Sequence, residues 1–180
     1  MENRINTGIQ RSTFIKAMSQ VAATVSVVTT GGRAGRFGAT VSSLVSVSAD
    51  TERPTILVCL QVSSNVASAV FENGNYCVNV LGRNQARIAD VFAGRNGLQM
   101  DERFAQIDMG SGSTGAPRLK QAIMNIDCQV SQVTRVGLHD VVFGEVCAIS
   151  FQGQQSPLLY ANRNYASLQP PPAELKLNAA

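Results

Sequence analysis

Gly38-Ala39-Thr40-Val41-Ser42-Ser43-Leu44-Val45-Ser46-Val47-Ser48 reads as a β-strand that carries two hydroxyl residues side by side in its middle. Successive side chains of a strand point to opposite faces, so Ser42 and Ser43 cannot share one. One face therefore meets something polar where a core would want Val or Leu. Two readings follow. The strand is a surface edge whose hydroxyls face water, or its small residues let a flat polar ligand approach the backbone.

The flanking sequence extends the strand into a β-rich chain. Thr24 to Thr30 precedes it across the turn Gly31-Gly32-Arg33-Ala34-Gly35, which predicts a hairpin. Upstream, Phe14, Ala17, Met18 and Val21 fall at helical spacing, with Ser12 or Thr13 as the expected N-cap. Downstream, Thr55 to Gln61 is nearly all apolar and predicts a strand buried on both faces. Val66, Ala69 and Val70 predict a short helix stopped by Gly74, and Tyr76 to Leu81 predicts another strand. Asn84 is the expected cap of a helix carrying Ile88, Val91 and Phe92 and ended by Gly94. The stretch from Gly94 to Pro117 is long for a connection, which implies that it is functional or partly ordered. Ala122 to Val136, His139 to Phe151 and Pro157 to Tyr160 predict the last strands. Many strands with few short helices favour a closed or split antiparallel barrel over a doubly wound sheet. The expected division is a flexible N-terminus over 1–11, one domain over 12–168 and a Pro-rich tail over 169–180.

Composition narrows the function. The 180 residues are 44% hydrophobic and 15% charged, which describes a folded globular chain. Net charge is +3, yet the basic residues are scattered, which argues against a nucleic-acid or membrane partner. Cys59, Cys77, Cys128 and Cys147 are far apart and there is one His, so no metal site is expected. Four reduced, mostly buried thiols and an N-terminus without an apolar signal region predict a cytoplasmic protein.

Four small-polar turns are candidates for a ligand site. Thr40, Val41, Ser42 and Ser43 form the first. Ser63, Ser64 and Asn65, between a strand and a helix, suit either a phosphate or a plain N-cap. Arg95 follows a helix stop, where it is a phosphate partner or a solvated cation. His139, the single histidine, opens a strand after Gly137 and fits a structural or a functional role. No dinucleotide fingerprint, P-loop or nucleophile elbow is present. Phosphate-binding turns with few acid and base groups suggest that a cofactor carries the chemistry.

In order and spacing, these segments resemble the flavin reductase family, split barrels that bind FMN and supply reduced flavin to two-component monooxygenases. The resemblance spans roughly residues 12–166. It rests on Phe14 to Thr30, Gly38 to Ser48, and Leu57-Val58-Cys59-Leu60 with Ser63-Ser64. Val78-Asn79-Val80-Leu81 with Gln85, Phe92-Ala93-Gly94-Arg95 and Thr114-Gly115-Ala116-Pro117 ahead of Cys128 continue it. His139 to Val146 and Pro157-Leu158-Leu159-Tyr160 complete it. The resemblance implies a mainly β fold: a six-stranded antiparallel Greek-key split barrel with a few short flanking helices, usually a homodimer. It implies FMN or FAD as cofactor and NADH or NADPH as co-substrate. Thr40, Val41, Ser42 and Ser43 would line the flavin ring and ribityl chain. Ser63, Ser64 and Asn65 would sit near its phosphate, with Gln85 and Arg95 as further candidates. His139 would position nicotinamide. Reduced flavin would pass to a monooxygenase, a ferric complex or a cobalt corrinoid. The competing reading is a non-catalytic flavin-binding or storage protein. Gln61-Val62 departs from the polar pair often found there, which leaves FMN against FAD open, and the chain has no Trp.

Overall fold

The computed structural model describes residues 8–50, 52–153 and 155–169. The helix α1 (Arg11–Met18) leads into β1 (Ala23–Thr24) and β2 (Ser26–Thr30), then β3 (Phe37–Val41), β4 (Val45–Ser48) and β5 (Thr55–Gln61). The helix α2 (Asn65–Asn73), β6 (Asn75–Val80), α3 (Ala86–Phe92) and α4 (Met100–Ala105) follow. The remainder is β7 (Met109–Ser111), β8 (Pro117–Leu119), β9 (Met124–Val136), β10 (His139–Phe151), β11 (Leu158–Ala161) and β12 (Asn164–Ser167).

Seven of these strands form one antiparallel sheet in the order β3-β2-β6-β9-β10-β5-β4. Its two edges, β3 and β4, are neighbours in the chain, joined by Ser42-Ser43-Leu44. From Val41 to Val45 the chain can reach at most about 14 Å. The sheet must therefore curl until its edges meet. Counted as one bent strand, β3 and β4 complete a six-stranded barrel, and the polar pair marks its seam. The single strand expected over Gly38–Ser48 is broken there, because Ser43 supplies with its side chain what a ladder would supply with backbone. Its Oγ accepts the Cys59 N–H at 2.8 Å and donates to the Cys59 carbonyl at 3.3 Å.

The barrel wall has apolar matter on both sides. Val28, Val58, Leu60, Tyr76, Val78 and Val142 fill the interior. Val25, Val27, Val91, Phe92, Phe104 and Leu119 pack outside it, under α3 and α4. All five positions of β2 are consequently buried. Asn79 joins wall to outer layer. Its Nδ2 donates to the Val27 carbonyl at 2.8 Å and to Thr29 Oγ1 at 3.0 Å. Its Oδ1 accepts from Leu119 N at 2.8 Å and Asn125 Nδ2 at 2.9 Å.

Gly144 of β10 faces the buried Tyr76 ring. A Cβ there would come 2.2 Å from the phenol oxygen and 2.6 Å from Cζ. Among the described residues that oxygen has no hydrogen-bond partner of ordinary geometry, and burial, reinforced by Cys128 beside it, raises its pKa. Gly144→Val is expected to destabilise the fold by about 3 kcal/mol, because a fully buried ring cannot yield. Urea unfolding checks it; a loss below about 1 kcal/mol would mean that the ring can move aside.

Several expectations need correction. Gln10, not Ser12 or Thr13, is the N-cap of α1, and the apolar stripe of that helix is exposed. Gln85, not Asn84, precedes α3 as its N-cap. In β5, Ile56, Val58 and Leu60 are buried while alternate residues are half-covered, so only one face is fully in the core. Only Cys77 and Cys128 are buried; Cys147 is exposed. The long stretch after Gly94 holds α4 and the β7–β8 hairpin, with Glu102 Oε2 accepting Gln99 N–H at 2.7 Å to start the helix. A further strand, β12, pairs with β11. Most of the expected N-terminal and Pro-rich tails lies outside the described residues.

Candidate functional site: a cleft at the barrel seam

A cleft of about 590 Å³ opens at the seam. That volume is within the roughly 300–1,000 Å³ range of small-ligand sites. Its floor is Gly38 to Ser43, the stretch that carries few bulky side chains. Cys59, Leu60 and Gln61 of β5 form one wall, and His139 stands beside them because β10 pairs His139 with Gln61. Phe92, Ala93 and Gly94 at the end of α3 form the opposite wall, with Met100 and Arg103 of α4. Ser64, Asn65 and Val66 bring the N-terminus of α2 to the rim. Helix N-termini favour anions.

The floor is held rigidly from beneath. Thr40 Oγ1 donates to the Ala89 carbonyl at 2.7 Å, and Ser43 is bonded to Cys59. Ser42 makes no hydrogen bond within the described chain and is exposed to the cleft. Gly38 lets the Phe92 ring lie against β3, since a Cβ would come 2.7 Å from Phe92 Cε1. Phe92 in turn meets Phe104 edge to face at 5.3 Å.

The sequence candidates divide. Thr40, Val41, Ser42, Ser43, Ser64, Asn65 and His139 come together in the cleft. Ser63 does not line it, and the Ser64 hydroxyl is turned back to the Gln61 carbonyl at 2.7 Å. Gln85 lies elsewhere: its Oε1 accepts Gly82 N–H and its Nε2 donates to the Gln121 carbonyl, both at 2.7 Å. Arg95 pairs with Asp90 at 2.7 Å and lies over the Tyr165 ring. It borders a separate cavity of about 190 Å³ behind Thr40–Ser42, with Tyr160 and Tyr165. Burial and then the hydrogen bond to Asp90 push the Tyr165 phenol up to about 12, so it remains a neutral donor at ordinary pH.

Sequence reasoning missed Arg103. Among the described residues no carboxylate lines the cleft, and Arg103 is its one arginine or lysine. The Gln99–Glu102 spacing was the available signal, since it starts the helix that carries Arg103 inward.

Residues 18–169 match the family described as flavin reductase like domain. FMN reductase (NADH) RutF of Klebsiella pneumoniae subsp. pneumoniae is 40% identical over 161 residues, covering 89% of this chain and 96% of that protein. A protein from Haemophilus somnus described as a flavin reductase superposes with a TM-score of 0.83 at 32% identity, covering 89% of this chain and 100% of that one. Nitrilotriacetate monooxygenase component B from Mycobacterium thermoresistibile superposes with a TM-score of 0.80 at 28% identity, covering 93% of each chain. Family match and relatives together show that this chain belongs to the flavin reductase like family.

Proposed function

We propose that this protein is an NADH:flavin oxidoreductase that reduces FMN and passes it to an oxygenase component. The observation that carries the reading is a cleft of ligand size at the barrel seam, floored by small residues and, among the described residues, lined by no carboxylate. A flat ring can lie along Ala39–Ser43, beside the Phe92 ring that covers Gly38. A reduced, anionic ring there meets no like charge. The names of the relatives support FMN and NADH, and the likeness to a monooxygenase component supports the oxygenase partner.

The chemistry that flavin supplies when bound is hydride acceptance at N5 from nicotinamide C4. That step needs no strong acid or base from the protein. The chain's contribution is placement: Thr40 and Ser43 fix the floor through their own hydrogen bonds, and Ser42 offers a free hydroxyl. His139, on the β5 side, would orient the nicotinamide ring. The test is NADH and NADPH oxidation by the purified protein with and without FMN or FAD. FMN-dependent NADH turnover is expected. Tight flavin binding without nicotinamide oxidation would instead identify a flavin carrier.

The protein would act as a homodimer. Phe14 and Met18 of α1 and Val21 just after it are 56%, 49% and 57% exposed, an apolar patch too large to leave in water. Sedimentation is expected to give twice the chain mass, and Phe14→Glu to shift it towards the monomer. A wild-type monomer at micromolar concentration would contradict this.

A further inference from the structure

We propose that Arg135 and Asp140 are positioning residues: their contact clasps the tip of the β9–β10 hairpin and so holds His139 at the cleft. This rests on the reading above, in which His139 orients nicotinamide, and adds the residues that keep it in place. The tip has little else to hold it. Thr134 to His139 are all exposed, so no core packing fixes their side chains. Beyond Gln129, where β6 stops, β9 is held by β10 alone. The turn is two residues, Gly137 and Leu138, and Gly137 takes a φ of +57° that glycine adopts without strain. Besides a bond between Gln132 and Thr134 within β9, the Arg135–Asp140 contact is the one side-chain bond that the tip makes among the described residues.

Asp140 is where the tip meets the core. It is 8% exposed, and it pairs in register with Leu60 of β5 on one side and Arg135 of β9 on the other. Cross-strand partners share a face, so Asp140 stands beside the buried Leu60 that lines the cleft. Arg135 Nε donates to Oδ1 at 2.9 Å and Nη2 to Oδ2 at 3.1 Å. Two parallel bonds from a planar fork fix orientation as well as distance. His139 is the next residue, on the opposite face, where it pairs with Gln61 and lines the cleft. The Val62 N–H donates to the Leu138 carbonyl at 3.0 Å, which ties the same tip to the rim before α2. An ion pair with one exposed partner adds little to stability, so its contribution here is geometric. Without Arg135, Asp140 has no partner among the described residues, and a buried carboxylate left unpaired draws water into the base of the tip.

The experiment compares wild type, Arg135→Gln, Arg135→Lys and His139→Ala by steady-state kinetics with NADH and FMN. Proton NMR of the imidazole is the second readout, and it is unambiguous because His139 is the chain's one histidine. Arg135→Gln is expected to shift and broaden the imidazole signal. It should raise KM for NADH about 5- to 10-fold while KM for FMN stays within about twofold and the urea midpoint barely moves. Arg135→Lys, which keeps the charge and loses the fork, is expected to recover only part of the loss. An unchanged imidazole signal in Arg135→Gln would overturn the proposal. So would a rise in KM for NADH in His139→Ala that Arg135→Gln does not share, or equal rises for both substrates with loss of fold, which a purely structural role would give. If His139→Ala leaves KM for NADH unchanged, the nicotinamide role of His139 fails, and a changed imidazole signal still upholds the clasp.

Discussion

Ser42→Trp is expected to lower FMN-dependent NADH oxidation by about 100-fold while leaving the barrel folded. Ser42 is the one hydroxyl of the Thr40–Ser43 floor that makes no bond within the described chain, so its replacement removes no internal contact. It is exposed and lines both the cleft and the cavity behind it. That smaller cavity of about 190 Å³ is no larger than an indole side chain, so a Trp there is expected to crowd the floor on which the flavin ring would lie. Displacing a reacting ring by even about 1 Å can cost on the order of 100-fold. The urea midpoint should change little. Ser43→Trp makes the contrast: it breaks both hydrogen bonds to Cys59 at the seam and should weaken the fold as well as the activity. Full turnover in Ser42→Trp would place the reaction outside this cleft.

Asn79→Ala is expected to destabilise the protein by about 4 kcal/mol. The amide is fully buried and satisfies five partners: Cys77 on its own strand, and Val27, Thr29, Leu119 and Asn125 on three other segments. Truncation leaves the Leu119 N–H without its acceptor inside the core, and each such buried group costs about 1–3 kcal/mol. Asn125 keeps the Leu119 carbonyl at 3.1 Å, which limits the loss. Urea unfolding of the pure variant measures it. A loss under about 1 kcal/mol would show that water or a shifted Asn125 replaces the amide.

Much of this was legible in the residues. The Ser42-Ser43 pair announced a polar interruption, and that interruption is where the sheet closes. Gly74 and Gly94 were readable as helix stops, and both have left-handed φ values, +70° and +74°. What the pattern could not show is which partner a polar group has already taken. Ser43 was expected to touch the ligand, yet its hydroxyl is spent on Cys59. Gln85 is spent on Gly82 and Gln121, a contact made across 36 positions of sequence. Arg95 carries the expected charge, but Asp90 one helical turn earlier cancels it. Arg103 fell in a stretch read as a loop. Only the helix α4 and the fold of α3 above it turn that side chain into the cleft. The exposed stripe of α1 has the same lesson: spacing identifies an apolar face, and does not say whether this chain or another covers it.

The central claim is that the seam cleft holds flavin for reduction by NADH. Anaerobic mixing of wild type and Ser42→Trp with FMN and NADH tests it most directly, with flavin bleaching followed in time. The prediction is rapid bleaching by wild type, one NADH consumed per flavin, and about 100-fold slower bleaching by the folded variant. Equal rates in the two proteins, or no bleaching by wild type, would contradict it.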